Sequence, residues 1–178
     1  MPLNETTFTE NLSFTEDEER APLRIHTRYH IKSPPESVFG IIGDLEGITR
    51  FFPMIHHATV LRSGANASEG NTRICYIRGM GAVHENIVWW QAPKGFAYKA
   101  SGKLVPLKNH LGIILLEKHK DGGTVIEWRQ YFDTRYGPLG WMFPTMMRLL
   151  MGKAIANIAK ILGTTNSSMN NPNDSVRN

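Results

Sequence analysis

Six strand-length segments follow one another through the middle of the chain, and a long segment with a helical apolar stripe comes after them. The segments contain many β-branched and aromatic residues, and short sequences such as GMGA, APKG and KDGG separate them. Connections this short favour antiparallel hairpins, because a parallel crossover needs about a dozen residues or more. The predicted strands are 55–63, 72–79, 84–91, 96–102, 109–119 and 124–134.

The flanking segments complete the predicted order of elements. RIHTRYHIKS (24–33) is a further strand candidate, and Ser33 with Glu36 three residues later predicts a capping-box helix start. PPESVFGII and LEGITRFF are two short helices, and 144–162 is one long helix. The apolar stripe of the long helix consists of Phe143, Met147, Met151, Ile155 and Ile158. This order predicts an α+β protein.

Composition limits the class of protein. A chain of 178 residues is most simply one domain, long enough to bury a core that contains a cavity. The single cysteine, Cys75, excludes a disulfide framework and a cysteine-based zinc site, which favours a cytoplasmic location. The first residues lack a signal-peptide pattern, and no window reaches the roughly 18 uninterrupted apolar residues of a membrane span. We therefore expect a soluble protein.

Charge is distributed unevenly along the chain. Residues 1–22 carry six acidic side chains against Arg20, a net charge of −5, so the remaining residues sum to +9 within the total of +4. We predict a disordered acidic leader over 1–22, a ligand-binding domain over 23–163 and a flexible polar tail over 164–178. The basic residues are scattered, which argues against nucleic-acid binding and leaves a transient membrane contact possible.

Three stretches, in this order, resemble the START-like (SRPBCC) superfamily, specifically its polyketide cyclase/dehydrase and lipid-transport branch. They are KSPPESVFGIIGDLEGITRFFPMI, the GGT opening of the last strand, and GPLGWMF before the last helix. The resemblance covers roughly residues 24–163 and implies a helix-grip fold. In this fold a curved antiparallel sheet of about seven strands surrounds a long C-terminal helix, with two short helices after the first strand. An apolar ligand cavity lies between sheet and helix, and Trp141, Met142 and Phe143 would lie at its edge.

Side-chain alternation along the strands identifies candidate ligand contacts, because alternate residues of a strand share one face. Trp128 and Gln130 are the most informative, since a buried indole N–H and a buried amide need hydrogen-bond partners. A ligand, an ordered water or the neighbouring strands could supply those partners. The predicted ligand-binding residues are Cys75, Ile77, Glu85, Ile87, Trp89, Phe96, Tyr98, His110, Ile114, Trp128, Gln130, Phe132, Phe143, Met147 and Met151.

The candidate catalytic residues depend on the resemblance. The plant hormone receptors of this fold have a cavity carboxylate early in the strand that corresponds to HENIVWWQ, which favours Glu85, Ile87 and Trp89 facing inward. The same comparison implies that His56 and His110 line the cavity. Glu85 and a histidine could act as general acid and base in dehydration or cyclisation, or could hydrogen-bond a ligand's polar head. Each histidine could equally be a surface residue or a satisfied core residue.

The sequence predicts neither a metal site nor a cofactor. His56 and His57 are adjacent, so on a strand they point to opposite faces. His26 and His30 are four residues apart, which is too far for easy shared ligation, and no HExxH motif or suitable carboxylate pair occurs. The sequence GMGAVHE lacks a phosphate-loop pattern and is typical of a hairpin or a loop that gates a cavity.

Three classes of function remain. The first is a carrier or sensor that binds a hydrophobic small molecule such as a lipid, an isoprenoid or an aromatic, polyketide-like compound. The second is a polyketide cyclase or dehydratase, and the third is a membrane-associated lipid-transfer or quinone-binding accessory protein. We prefer the first, because the residues themselves predict an apolar lining whereas catalytic roles depend on the resemblance.

Overall fold

The computed structural model describes residues 21–62, 69–135 and 137–169. Of the predicted leader over 1–22, only the last two positions lie within these residues, and the predicted tail over 164–178 lies outside them from residue 170 onward. Among the described residues, no helix is both long enough and apolar enough to cross a membrane.

One antiparallel sheet carries all the strands, and the elements follow the predicted order. Strand β1 (Leu23–Ile31) precedes helix α1 (Pro35–Ile42) and a 3₁₀ helix (Glu46–Arg50). The elements that follow are β2 (Ile55–Leu61), β3 (Thr72–Ile77), β4 (Gly81–Gln91), β5 (Gly95–Ser101), β6 (Leu107–Lys118), β7 (Thr124–Thr134) and helix α2 (Pro138–Met169). The strand order β1-β7-β6-β5-β4-β3-β2 pairs every strand from β2 to β7 with its sequence neighbour and places β1 beside β7. The predicted helix-grip fold is confirmed.

Helix α1 begins without the predicted capping box. Its N-cap is Pro34, and no side chain caps the helix. Proline fits the first helical turn because the N–H it lacks has no partner there, so Pro34 and Pro35 place the helix start after Ser33. Ser33 is buried instead, and its carbonyl accepts a hydrogen bond of 2.6 Å from Thr124 Oγ1. This bond ties the start of α1 to the start of β7.

Helix α2 begins earlier than the sequence indicated. It starts at Pro138, so that Pro144, which we interpreted as a helix start, lies inside it. The residues before Pro144 are therefore helical and point in different directions, about 100° apart per residue. Trp141 and Met142 are 72% and 56% exposed, whereas Phe143 is buried. Of these three residues, only Phe143 faces the core.

The main core fills the space between the concave face of the sheet and the helices. The alternation predicted for β5 and β7 is confirmed, because Phe96 and Tyr98 pack in this core together with Ile126, Trp128 and Phe132. A second, smaller cluster lies on the opposite face of the sheet. It consists of Ala97, Leu111, Ile113 and Leu115.

A register shift in β4 reverses the alternation in its second half. Ile87 pairs with Tyr98, but Trp89 pairs with Ala97, so one extra residue is accommodated between them. Beyond this bulge Trp90 faces the core, and Trp89 packs against the cluster on the opposite face. The prediction that Trp89 faces the cavity is therefore wrong, because strict alternation does not hold across a bulge.

Candidate functional site: an internal cavity

A cavity of about 100 Å³ lies between the concave face of the sheet and α2. Its walls are mainly apolar side chains from six strands, both α-helices, and the 3₁₀ helix with the loop after it. The predicted binding residues that line it are Ile77, Glu85, Phe96, Tyr98, His110, Ile114, Trp128, Gln130, Phe143 and Met147. The fold thus brings residues from five strands and one helix to one place, and their roles as ligand contacts stay predictions.

Several predicted residues do not line this cavity. His56 is exposed and borders a separate outer pocket, because the register of β2 shifts between Ile55 and His57, and the inward positions of this strand are Ile55, Ala58 and Val60. Trp89 lies on the opposite face of the sheet, beyond the bulge. The remaining four are buried in the core: Cys75, Ile87, Phe132 and Met151.

The segment that follows the 3₁₀ helix forms a wall of the cavity that was not predicted from the sequence. Residues 51–55 line the cavity on one side and the outer pocket on the other. Met54 within this segment has a positive φ of 71° and is 39% exposed. Asn157 of α2 donates a hydrogen bond of 2.9 Å from Nδ2 to the carbonyl of Phe51, which fixes the segment to the helix. The available signal was the apolar run FFPMI, which we assigned to the end of a short helix and the start of a strand and used only for the family resemblance.

Arg73 is the most important residue that we missed. It is 3% exposed, lines the cavity, and its Nε lies 2.6 Å from Glu85 Oε2. Arg73 shares one phase of β3 with Cys75 and Ile77, so alternation could have identified it. Glu85 is therefore paired with a buried guanidinium rather than with a histidine. A buried carboxylate needs such a partner to offset the loss of its hydration.

Cys75 also contacts Glu85. Its Sγ lies 3.5 Å from Glu85 Oε2. Burial raises the pKa of the Cys75 thiol, and the nearby negative charge of Glu85 raises it further. Because the thiolate is the nucleophilic form, this thiol is not an activated nucleophile.

An irregularity in β6 turns His110 into the cavity. The pairing register with β7 shifts between Lys108 and Leu111, and Asn109 has a positive φ of 49°. The ladder between β5 and β6 ends at Tyr98 and Gly112, and beyond it the backbone N–H of Ala100 donates to His110 Nδ1 at 3.0 Å. The imidazole thus takes the place of a backbone acceptor that the bulge has removed.

The protonation of His110 follows from this bond. Burial lowers the pKa of His110, although its hydrogen bond to Gln130 and the charge of Glu85 oppose the shift. The ring is therefore neutral near pH 7, and Nδ1 must be the unprotonated nitrogen because it accepts from Ala100. Nε2–H then donates to Gln130 Oε1. The amide nitrogen of Gln130 donates in turn to Tyr98 Oη at 2.8 Å.

Tyr98 reaches Gln130 by crossing the neighbouring strand. Its ring lies over Gly112 of β6, where a Cβ atom would be 2.5 Å from Tyr98 Cζ. Burial and the charge of Glu85 both raise the pKa of Tyr98, so the phenol keeps its proton. Trp128 lies beside it. Its buried Nε1–H makes no hydrogen bond of normal geometry in the described part of the chain, but it is close enough to Tyr98 Oη to oppose this rise in pKa. At Tyr98 and Trp128 the polar side of the cavity thus presents hydrogen-bond donors.

A possible metal-binding cluster lies outside the cavity. His30, His119 and Asp121 are exposed, and their ligating atoms all lie within 4.8 Å of one another. Hydrogen bonds from His119 and from the backbone N–H of Gly123 lower the pKa of Asp121. From the sequence, His30 was considered only together with His26. This cluster was not predicted, because the end of β1 lies beside the β6–β7 hairpin only in the folded sheet.

Comparison with known proteins gives a family and a set of similar folds. The family described as "Polyketide cyclase / dehydrase and lipid transport" matches residues 22–165. The structure of the protein XoxI from Bacillus cereus is 16% identical, with a TM-score of 0.65 over 77% of this chain and 93% of that chain. A protein from Nitrosospira multiformis is also 16% identical, with a TM-score of 0.61 over 78% of this chain and 94% of the other.

A third structure, from Thermobifida fusca, is 16% identical, with a TM-score of 0.65 over 79% of this chain and 93% of that chain. At this level of identity these structures support the fold alone. No curated protein matches the sequence.

Proposed function

Because the chain belongs to the polyketide cyclase/dehydrase and lipid transport family, we propose that it binds a hydrophobic small molecule as a carrier or sensor. The ligand class is a lipid, an isoprenoid or an aromatic, polyketide-like compound, and residues 23–163 form the binding domain. The observation that carries the proposal is the cavity between the sheet and α2, whose lining is largely apolar. A cytoplasmic location agrees with the free thiol of Cys75.

The polar residues of the cavity favour binding over catalysis. A general base needs a free lone pair within reach of a substrate proton. Both nitrogens of His110 already take part in hydrogen bonds, and Glu85 accepts hydrogen bonds from Arg73 and Cys75. A cyclase or dehydratase activity would require His110 to break one of these hydrogen bonds, or Glu85 to act through Oε1, the oxygen that neither Arg73 nor Cys75 contacts.

A cavity-filling variant tests the proposed function. Met147 lines the cavity from α2, so Met147→Trp should occupy part of the ligand's space. We expect it to weaken binding of the neutral fluorescent probe N-phenyl-1-naphthylamine at least about tenfold, while overpacking costs about 1–3 kcal/mol of stability. Leu149→Trp is the matched control, because Leu149 lies on the same helix and is 66% exposed. Equal probe affinity in both folded variants would refute the cavity as the binding site.

The outer face of α2 favours membrane contact as a second function. Trp141, Met142 and Leu149 are exposed there, and helical geometry places them within about 100° of one another. Arg148 and Lys153 are exposed beside them. Apolar side chains flanked by cations fit the surface of an anionic membrane, where a lipid carrier would collect or deliver its ligand.

Vesicle binding tests this second function. Wild-type protein should sediment with vesicles containing phosphatidylserine and much less with pure phosphatidylcholine, and Trp141→Ser should reduce the bound fraction. Stability should change by less than about 0.5 kcal/mol, because the side chain is exposed. Equal sedimentation of the variant and the wild type would exclude this face as the contact.

A further inference from the structure

The hydrogen bonds along the polar side of the cavity run in one direction. A backbone N–H can only donate, so the Ala100 N–H fixes Nδ1 of His110 as an acceptor. Each later bond then follows: His110 Nε2–H donates to the Gln130 carbonyl oxygen, and the Gln130 amide donates to Tyr98 Oη. Tyr98 accepts at the end of this series, and its own proton is the last one left to donate.

Two donors therefore meet at this place. Tyr98 is 5% exposed and lines the cavity, and its hydroxyl hydrogen is not used in the bond with Gln130. Trp128 is also 5% exposed, and its Nε1–H, although it lies beside Tyr98 Oη, makes no hydrogen bond of normal geometry with any described residue. Buried donors of this kind are normally satisfied, so an unsatisfied pair at a cavity wall points to an acceptor supplied by the ligand.

The charges nearby restrict that acceptor to a neutral group. The guanidinium of Arg73 is paired with Glu85, so an anionic head group would approach the Glu85 carboxylate without a free cation to balance it. An ammonium group cannot accept hydrogen bonds, so it would leave the donors of Tyr98 and Trp128 without a partner. A ketone or quinone carbonyl has the required chemistry, because it accepts two hydrogen bonds and carries no charge.

We propose that the ligand of this cavity is an apolar molecule with a neutral carbonyl oxygen, which the Tyr98 hydroxyl and the Trp128 indole N–H bind. The inference rests on the proposed function, because it names the polar group of the molecule that the cavity takes up. Gln130 and His110 are positioning residues, since they act by orienting the Tyr98 hydroxyl.

Two isosteric probes test the inference. In 2-isopropenylnaphthalene a CH₂ group replaces the carbonyl oxygen of 2-acetylnaphthalene, so the two differ only in the acceptor. Both affinities are measured by displacement of N-phenyl-1-naphthylamine from wild-type protein and from Tyr98→Phe. We expect the ratio of ketone affinity to hydrocarbon affinity to fall about tenfold in the variant. Tyr131→Phe is the control and should leave the ratio unchanged, because Tyr131 packs on the opposite face of the sheet.

A spectroscopic measurement needs no variant. The infrared carbonyl stretch of 2-acetylnaphthalene bound to wild-type protein should lie below its frequency in an alkane solvent, as a hydrogen-bonded carbonyl requires. Two results would overturn the inference: a carbonyl frequency like that in an alkane, or an affinity ratio that Tyr98→Phe leaves unchanged. The proposed function would still stand in either case, provided that both probes bind. If N-phenyl-1-naphthylamine binds but neither naphthalene displaces it, the inference fails and the proposed function stands. If N-phenyl-1-naphthylamine itself does not bind, both fail.

Discussion

The two faces of β7 carry two buried polar networks that differ in one respect. On the outer face, Glu127 accepts hydrogen bonds from His26 at 2.8 Å and from Arg129 at 2.6 Å, and Arg28 lies 3.7 Å away. On the inner face, Gln130 links His110 to Tyr98. The outer network matches a carboxylate with cations, whereas the inner one ends in an unused donor. A matched network stabilises the sheet, and an unmatched one beside a cavity indicates a binding site.

The largest expected effect comes from the glycine beneath Tyr98. Gly112→Ala would place a methyl group against the Tyr98 ring, so the ring must move into the cavity. We expect a loss of about 2–3 kcal/mol in the free energy of unfolding, together with weaker binding of N-phenyl-1-naphthylamine. Gly40→Ala is the matched control, because nothing lies within 4 Å of its Cβ position in α1. Chemical denaturation should find the control equal to or more stable than the wild type. A fully stable Gly112→Ala protein would contradict the described packing of Tyr98.

A change on the outer face should affect stability alone. Glu127→Gln keeps the shape of the side chain but removes the charge that pairs with Arg129 and His26. We expect a loss of about 2 kcal/mol, less than for a fully buried pair because His26 is 44% exposed. Urea unfolding measures the loss, and probe titration should give an unchanged affinity. A changed affinity would mean that the two faces of β7 are not independent.

The two networks should also respond to different ranges of pH. Burial opposes ionisation of Glu127, yet the hydrogen bonds and charges of Arg129 and His26 hold its pKa below the usual 4.5. Its contribution to stability is therefore present above pH 4.5 and is lost as the pH falls through the lowered pKa. Burial instead lowers the pKa of His110 below 6.5, so the unfolded chain takes up its proton first. His110 thus reduces stability as the pH falls below 6.5.

Substitution separates these two contributions. We expect the free energy of unfolding of His110→Asn to depend less on pH between about pH 7.5 and 5.5 than that of the wild type. Glu127→Gln should reduce the dependence only at lower pH. Urea unfolding of the wild type and both variants at a series of pH values measures how the free energy of unfolding of each protein depends on pH. Identical slopes for His110→Asn and the wild type would show that the histidine is not buried in its neutral form.

The sequence predicted the parts of the fold and site that depend on regular periodicity. Short separators identified the hairpins, and alternation placed Trp128 and Gln130 on the inner face of β7. It failed where the backbone departs from that regularity. The bulge after Ile87 turns Trp89 to the outer face of the sheet. Pro144, which we predicted to begin the last helix, lies inside that helix.

The hydrogen-bond network could not be predicted, because its members come from different strands. His110 faces inward through an irregular part of β6, which no sequence period reveals. Gly112 makes room for Tyr98 across the sheet, a contact that depends on strand register. Arg73 could have been found from its phase in β3. The basic residues were considered only for their scatter along the chain, and not for the strand face on which each one lies.

The central claim, that an apolar ligand binds between the sheet and α2, can be tested on the methionine methyl groups. Met80, Met146 and Met147 line the cavity, whereas Met142 is exposed on the outer face of α2. In a spectrum of protein with ¹³C-labelled methionine methyls, addition of N-phenyl-1-naphthylamine should shift the first three signals through the ring current of the bound probe and leave that of Met142 unchanged. A shift at Met142 with the other three unmoved would place the ligand on the outer surface and contradict the claim.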